Sequence, residues 1–158
     1  MTGELKKDFT LRISQANKTQ MVVIIYEILL EYLKDAKAAV LAEDKNAKRE
    51  SFNKVRSCIN ELIGSLHYDY EPAGELLELY VYCSKELVNA DLHGSISSIE
   101  TVERIIGALK EAYAQIADLD KSPAIMGNTQ TVYAGLTYGK TTLTESVTDP
   151  SGNRGFLA

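Results

Sequence analysis

NKTQMVVIIYEILLEYLKDAKAAVL, residues 17–41, is the stretch that decides the fold. Asn17 is a residue type that caps the free amide groups of a helix, and Gln20 three positions later completes a capping-box pattern. Apolar residues then recur every three or four positions, which predicts an amphipathic helix from Asn17 to about Leu41. Its main apolar stripe is Met21, Ile25, Ile28, Tyr32 and Ala36.

The same spacing predicts three more helices. The second spans about residues 46–66, the third follows Pro72, and the fourth opens at Ser97 with Glu100 as its capping partner. Gly94 separates the last two helices, and no strand alternation appears before residue 120. Short connections between amphipathic helices indicate an all-α fold, an antiparallel up-and-down four-helix bundle. Its predicted stripes are Phe52, Val55, Ile59, Leu62 and Leu66; Leu76, Tyr80, Cys83, Leu87 and Ala90; and Ile99, Val102, Ile106, Leu109, Tyr113 and Ile116.

Composition changes near Pro123 and divides the chain. Five of the ten glycines and two of the three prolines fall in the last 36 residues, which are also rich in Thr and Ser. Such a composition is typical of a flexible segment, although its scattered apolar residues could dock on the bundle. We therefore predict an N-terminal segment at 1–16, a helical bundle at 17–120 and a mostly disordered or docking tail at 121–158.

Charge and cysteine content narrow the class of protein. The 158 residues carry 17 Lys and Arg against 22 Asp and Glu, a net charge of −5, which argues against nucleic acid or anionic lipid as a partner. Two cysteines are too few for a disulfide framework. The apolar run at 21–33 contains Glu27 and Glu31, and it is shorter than the roughly 20 residues of a membrane span. We expect a cytoplasmic protein without a membrane or nucleic-acid partner.

Residues for catalysis or metal binding are sparse. His67 and His93 are the only histidines, and neither belongs to the Glu-x-x-His pattern of a di-iron bundle. Residues 135–141, GLTYGKT, resemble a phosphate loop but have three residues between the glycines where four are needed. We predict no catalytic residue, no metal site and no cofactor.

The first helix has more apolar surface than one stripe requires. Between residues 21 and 33 only Glu27 and Glu31 are charged. Two interpretations are open: a central helix contacted by several neighbours, or a groove for a partner. The third helix has the same surplus, in Leu77, Leu79, Val81 and Tyr82.

The order of these segments resembles the FliS family of flagellin-specific export chaperones, over about residues 9–116. The family's Ile-Asn-Glu-Leu-x-x-Ser-Leu is present at 59–66, and its Leu-Tyr-x-Tyr is present at 79–82. Its Leu-Tyr-Asp-Gly corresponds to Ile25-Tyr26-Glu27-Ile28, and its Ser-Pro to Asn17-Lys18. The order of the motifs along four helices carries the resemblance, because each motif alone is weak.

This resemblance implies a chaperone that binds the disordered C-terminal segment of flagellin, prevents its premature polymerisation and delivers it to the flagellar type III export apparatus. Components of the export gate are possible further partners. Apolar grooves between helices would receive the cargo. The expected partner-binding residues are Met21, Ile24, Ile28, Tyr32, Leu79 and Tyr82.

The N-terminal segment has a second expected role. Phe9, Leu11 and Ile13 alternate with polar residues, and in the resembled family this segment can cover part of the cargo groove. We predict a groove lid; the alternative is a staple that fixes the entry of the first helix. For the whole chain, the alternatives are an adaptor or regulatory bundle with another amphipathic client, and a small enzyme or carrier with a ligand between the helices.

Overall fold

Five helices make up the part of the chain that the structure describes. The computed structural model describes residues 1–126, and Met1–Ile125 form one compact unit. No strand occurs among these residues, so the all-helical prediction is confirmed, but the predicted number of helices is one too few. Most of the predicted tail, residues 127–158, lies outside the described residues. The helices are α1 (Gly3–Gln15), α2 (Lys18–Leu41), α3 (Lys45–Gly64), α4 (Ala73–His93) and α5 (Ile96–Leu119).

Helix α1 is the element that the sequence analysis missed. It begins after Thr2, whose hydroxyl accepts a hydrogen bond from the Leu5 amide at 3.3 Å. In the sequence Phe9, Leu11 and Ile13 alternate with polar residues, which resembles a strand. Phe9 and Ile13 are also four residues apart, however, and therefore share one face of a helix. Leu11 lies on the opposite side and is 58 % exposed, so its inclusion with the other two was wrong.

Local signals set the ends of the other helices. The capping box is confirmed: Asn17 and Gln20 each accept a hydrogen bond from the other's backbone amide, at 2.9 and 3.0 Å. Gly94 ends α4 in the left-handed conformation, with φ of 63°. Helix α5 begins earlier than predicted, because Ser95 rather than Ser97 is its N-cap.

Helices α2–α5 surround a common core. Helices α2 and α4 each pack against both α3 and α5, and α1 packs on α2. Near one end of the α2–α5 pair, the Thr19 hydroxyl donates to the Asp120 carboxylate at 2.6 Å. Near the other end, Lys37 pairs with Glu100 at 2.8 Å. These contacts join the start of each helix to the end of the other, so α2 and α5 run in opposite directions.

The predicted stripe fills the core on α4 and does so only in part on α2. All five stripe residues of α4 are buried, as are most of those on α3 and the first three on α5, while Ile116 is exposed. On α2 the core residues include Tyr26, Leu29 and Leu33, whereas Met21 and Ile28 pack against α1. Of the predicted stripe, Ala36 is buried in the core and Ile25 and Tyr32 pack against it, so periodicity located the core face only in part, because α2 has apolar residues on several faces.

A tyrosine pair crosses the centre of the core. The Tyr26 and Tyr80 hydroxyls lie 2.5 Å apart, and Tyr113 meets the Tyr26 ring edge-on with 5.7 Å between centroids. Burial raises the pKa of Tyr26, and it raises the pKa of Tyr80 to about 12. Both hydroxyls therefore stay neutral at physiological pH and satisfy each other inside the bundle.

We expect the tyrosine pair to stabilise the fold as a unit. Tyr26→Phe or Tyr80→Phe alone leaves one buried hydroxyl without its partner and should lower the free energy of unfolding by about 1–3 kcal/mol. The double variant removes both hydroxyls and should cost less than the sum of the two single changes. Urea unfolding of the four proteins measures this coupling; strictly additive losses would contradict it.

Candidate functional site

A small apolar cluster, separate from the main core, joins α1 to α2. We call it the α1 seam. Phe9 and Ile24 are buried in it, and only Phe9 is buried among the residues of α1. Three of the predicted partner-binding residues therefore lie on α2, under α1. Two of the predicted lid residues lie on the side of α1 that faces them. The α1 seam comprises Leu5, Phe9 and Ile13 on α1 and Met21, Ile24 and Ile28 on α2.

Charged contacts border the α1 seam. The Arg12 guanidinium donates to the Glu27 carboxylate at 2.5 Å and lies 5.6 Å from the centroid of the Phe9 ring. The hydrogen bond with Glu27 raises the pKa of Arg12, so the arginine is charged throughout the physiological range. Further along α2, Asp35 accepts a hydrogen bond from the Met1 amino group at 2.7 Å.

The junction between α1 and α2 is fixed by the segment that follows α5. The Asn17 side-chain amide donates to the backbone carbonyls of Asp120 and Ser122, at 3.4 and 3.3 Å. The Ile125 amide donates to the Ala16 carbonyl at 2.9 Å. At the junction the Ala16 amide also donates to the Ile13 carbonyl of α1 at 3.3 Å, but the bonds that hold Asn17, the cap of α2, do not involve α1.

The largest apolar cleft lies where four helix ends meet. It has a volume of about 670 Å³. Its polar rim includes Lys18, Glu61 and His67. An opening of this size and apolar character accepts apolar side chains of a partner. We call it the end cleft; its apolar lining includes Val22 and Ile25 of α2, Leu66 and Tyr70 of the α3–α4 connection, and Tyr113 and Ile116 of α5.

A third apolar surface lies on α4 and contains two predicted site residues. Leu79 and Tyr82 are 37 % and 45 % exposed. With Glu86 and Asn89 they form a stripe spaced three or four residues apart, and Asn89 donates to the Ser98 hydroxyl of α5 at 2.8 Å. We call this stripe the α4 outer face; it borders α5, away from the α1 seam.

Tyr32, the remaining predicted site residue, belongs to none of these surfaces. It is half-buried against the main core, and the Lys54 ammonium lies 5.5 Å from the centroid of its ring. The structure thus places the six predicted residues at three locations rather than in one groove.

Sequence reasoning missed Leu5 of the α1 seam and most of the end cleft, of whose lining it had selected only Met21 as a partner-binding residue. Leu5 could have been found from its spacing of four residues to Phe9. The end cleft offered a weaker signal, because Ile25 belongs to the main apolar stripe, Val22 is part of the surplus and Tyr70 lies outside any helix. Its residues converge only when four helix ends are brought together.

The described residues offer little for chemical catalysis. Burial raises the pKa of the Cys58 and Cys83 thiols to about 11, so both remain protonated near neutral pH. Among residues 1–126, no group of three or more His, Cys, Asp or Glu could hold a metal ion. Across the same residues, no helix is both long and apolar enough to span a membrane.

The chain is similar to known flagellar proteins. The model of the family described as "Flagellar protein FliS" matches residues 1–120, which include all five helices. The flagellar secretion chaperone FliS of Bacillus subtilis (strain 168) is 22 % identical over 103 residues, which cover 65 % of this chain and 77 % of that relative.

The Asp120 carboxylate, which joins the start of α2 to the end of α5, makes the stability of the fold depend on pH. Hydrogen bonds from Ser122 and Thr19 lower the pKa of its carboxyl to about 2. The stabilisation is therefore present above the usual aspartate pKa and is lost as the pH falls towards 2. We expect Asp120→Asn to lower the melting temperature near neutral pH, and the difference from the native chain to vanish at about pH 2.

Melting curves recorded from neutral to acid pH measure this effect. Asp69→Asn, which changes an exposed carboxyl in the α3–α4 connection, is the matched control. A melting-temperature difference for Asp120→Asn that stays constant with pH would contradict the role of the carboxylate.

Proposed function

This chain belongs to the FliS family of flagellar proteins, and on that premise we propose that it is a cytoplasmic, non-enzymatic export chaperone for flagellin. It binds the disordered C-terminal segment of flagellin and prevents premature polymerisation. It then delivers this cargo to the flagellar type III export apparatus, whose gate components are further partners. The observation that carries the proposal is the family match across all five helices.

The distribution of apolar surface supports this function. The α1 seam, the end cleft and the α4 outer face lie on different parts of the bundle. A segment that is disordered alone can wrap around a protein and contact several such surfaces, at a cost in ordering that moderates its affinity. Moderate affinity suits a cargo that must be released for export.

We further propose that α1 is the lid of one cargo surface. It covers Met21, Ile24 and Ile28 while burying only Phe9 of its own residues. Full burial of one phenylalanine is worth about 1.5–3 kcal/mol. A domain is held by about 5–15 kcal/mol, so α1 can separate from α2 without unfolding of the bundle.

A second function remains a candidate: an adaptor or regulatory bundle that uses the same surfaces for another amphipathic client. The two functions differ only in the bound protein. Titration with the flagellin segment separates them. If the flagellin segment does not bind at about 100 μM, where even a weak complex begins to form, the adaptor function is favoured.

Calorimetry with the C-terminal segment of the same organism's flagellin tests the main proposal. We expect saturable one-to-one binding with a negative heat-capacity change, because apolar surface is buried. Leu79→Asp should weaken binding about tenfold or more, since a buried leucine is worth about 1.5–3 kcal/mol. Leu92→Asp changes a more exposed leucine of the same helix outside the α4 outer face, and it should have no effect. Equal losses from both variants would contradict the site.

The lid makes a separate prediction. Phe9→Asp removes the one buried contact of α1 and should tighten flagellin binding by about tenfold, because the competent state becomes more populated. Leu11→Asp, on the exposed side of α1, should leave the affinity unchanged. Unchanged or weaker binding by the Phe9→Asp variant would show that α1 is not a lid.

A further inference from the structure

Helix α1 lies on α2 in the way that a peptide helix lies in a groove. We call the surface of α2 under α1 the seat; it includes Met21, Ile24 and Ile28, with Glu27 at its border. Leu5, Phe9 and Ile13 are spaced four residues apart and pack against α2. Grooves for amphipathic helices select their partners by apolar anchors at this spacing. The sequence of α1 therefore indicates which kind of helix the seat accepts.

The seat also carries negative charge. Glu27, Glu31 and Asp35 are spaced four apart and so share one face of α2. Glu31 pairs with Lys34 of its own helix, but Glu27 pairs with Arg12 of α1. The Glu27 side chain is only 29 % exposed. An occupant that takes the place of α1 covers this carboxylate again, so an occupant that supplies a cation in place of Arg12 is favoured.

The seat is wider than α1. Clefts of about 370 and 520 Å³, both lined in part by Arg12, lie beside α1 on the side that faces α5. Ala114 and Ala117 of α5 line the first, and Glu103 and Lys110 of α5 line the second. A helix with larger side chains than those of α1 would fill more of this space and gain dispersion contacts. Such a helix can displace α1 although α1 is attached to the chain.

We infer that Glu27 is a specificity-determining residue: it selects a cargo helix that carries Arg or Lys where α1 carries Arg12. The preferred helix has apolar anchors at the spacing of Leu5, Phe9 and Ile13, with the cation immediately before the third anchor. This inference rests on the proposed chaperone function and adds to it the chemistry of the segment that binds at the α1 seam.

The test uses the full chain with Phe9→Asp, which frees the seat. Circular dichroism checks that it folds, and an Ile13→Asp chain serves as a second host. The probe is a fluorescent peptide of residues 3–15, GELKKDFTLRISQ, titrated up to about 1 mM, since a short helix binds weakly. Peptides with Arg12→Glu and with Lys7→Glu change the net charge equally, but only the first changes the residue opposite Glu27.

We expect the native and Lys7→Glu peptides to bind alike and the Arg12→Glu peptide to bind at least about tenfold more weakly, because a charge-assisted hydrogen bond becomes a like-charge contact. Adding Glu27→Arg to the host should reverse the order of the native and Arg12→Glu peptides. Equal loss for both acidic peptides, no reversal by Glu27→Arg, or no binding of the native peptide to either host would overturn the inference.

Flagellin binding to the same host separates this inference from the chaperone function. If flagellin binds but the native peptide neither binds nor competes, the function stands and the role of Glu27 is wrong. If the peptides show the expected charge dependence but flagellin does not bind, the seat has the inferred selectivity and the flagellin assignment is wrong.

Discussion

The surface of α2 is the constraint on which the structure depends. This helix has apolar side chains on more faces than a ring of four helices can cover. Tyr26 and Leu33 face the core, Ile28 faces α1, and Val22 lines the end cleft. Apolar surface left in water is unfavourable, so each face needs a cover. The bundle covers one face, α1 covers another, and the end cleft leaves the third open to a partner.

The cover provided by α1 differs in kind from the packing of the bundle. Its apolar cluster is separate from the main core and contains one buried α1 side chain, Phe9; ion pairs from Arg12 to Glu27 and from the Met1 amino group to Asp35 add to it. The junction at Asn17 is fixed independently, through bonds to the segment after α5. Weak attachment beside a rigid hinge allows local opening while the remainder stays folded. On the proposal that α1 is a lid, the two interpretations of α2, central helix and groove, describe the same helix with α1 present and absent.

Sequence predicted the features that depend on local chemistry. The capping box at Asn17, the glycine stop at Gly94 and the buried stripe of α4 need only neighbouring residues. The core face of α2 was predicted only in part, because apolar residues on several faces weaken the periodic signal. Helix α1 was missed because Phe9 and Ile13 satisfy both alternation and helical spacing. The end cleft is a product of tertiary structure, since Tyr70 meets the helix ends only in the fold.

Competition for one carboxylate connects regulation with selectivity. In the proposed mechanism α1 and cargo both supply a cation to Glu27. Stronger pairing of Glu27 with Arg12 raises the free energy that any cargo must supply to displace α1. A cargo with a matching cation replaces the ion pair that it breaks. An apolar helix without that cation must displace the anchors and leave Glu27 unpaired. Specificity is a difference between affinities, and an acid at the border of an apolar seat creates that difference by penalising the wrong partner. A chaperone with exposed apolar surface needs such a penalty, because apolar contact alone does not distinguish one amphipathic segment from another.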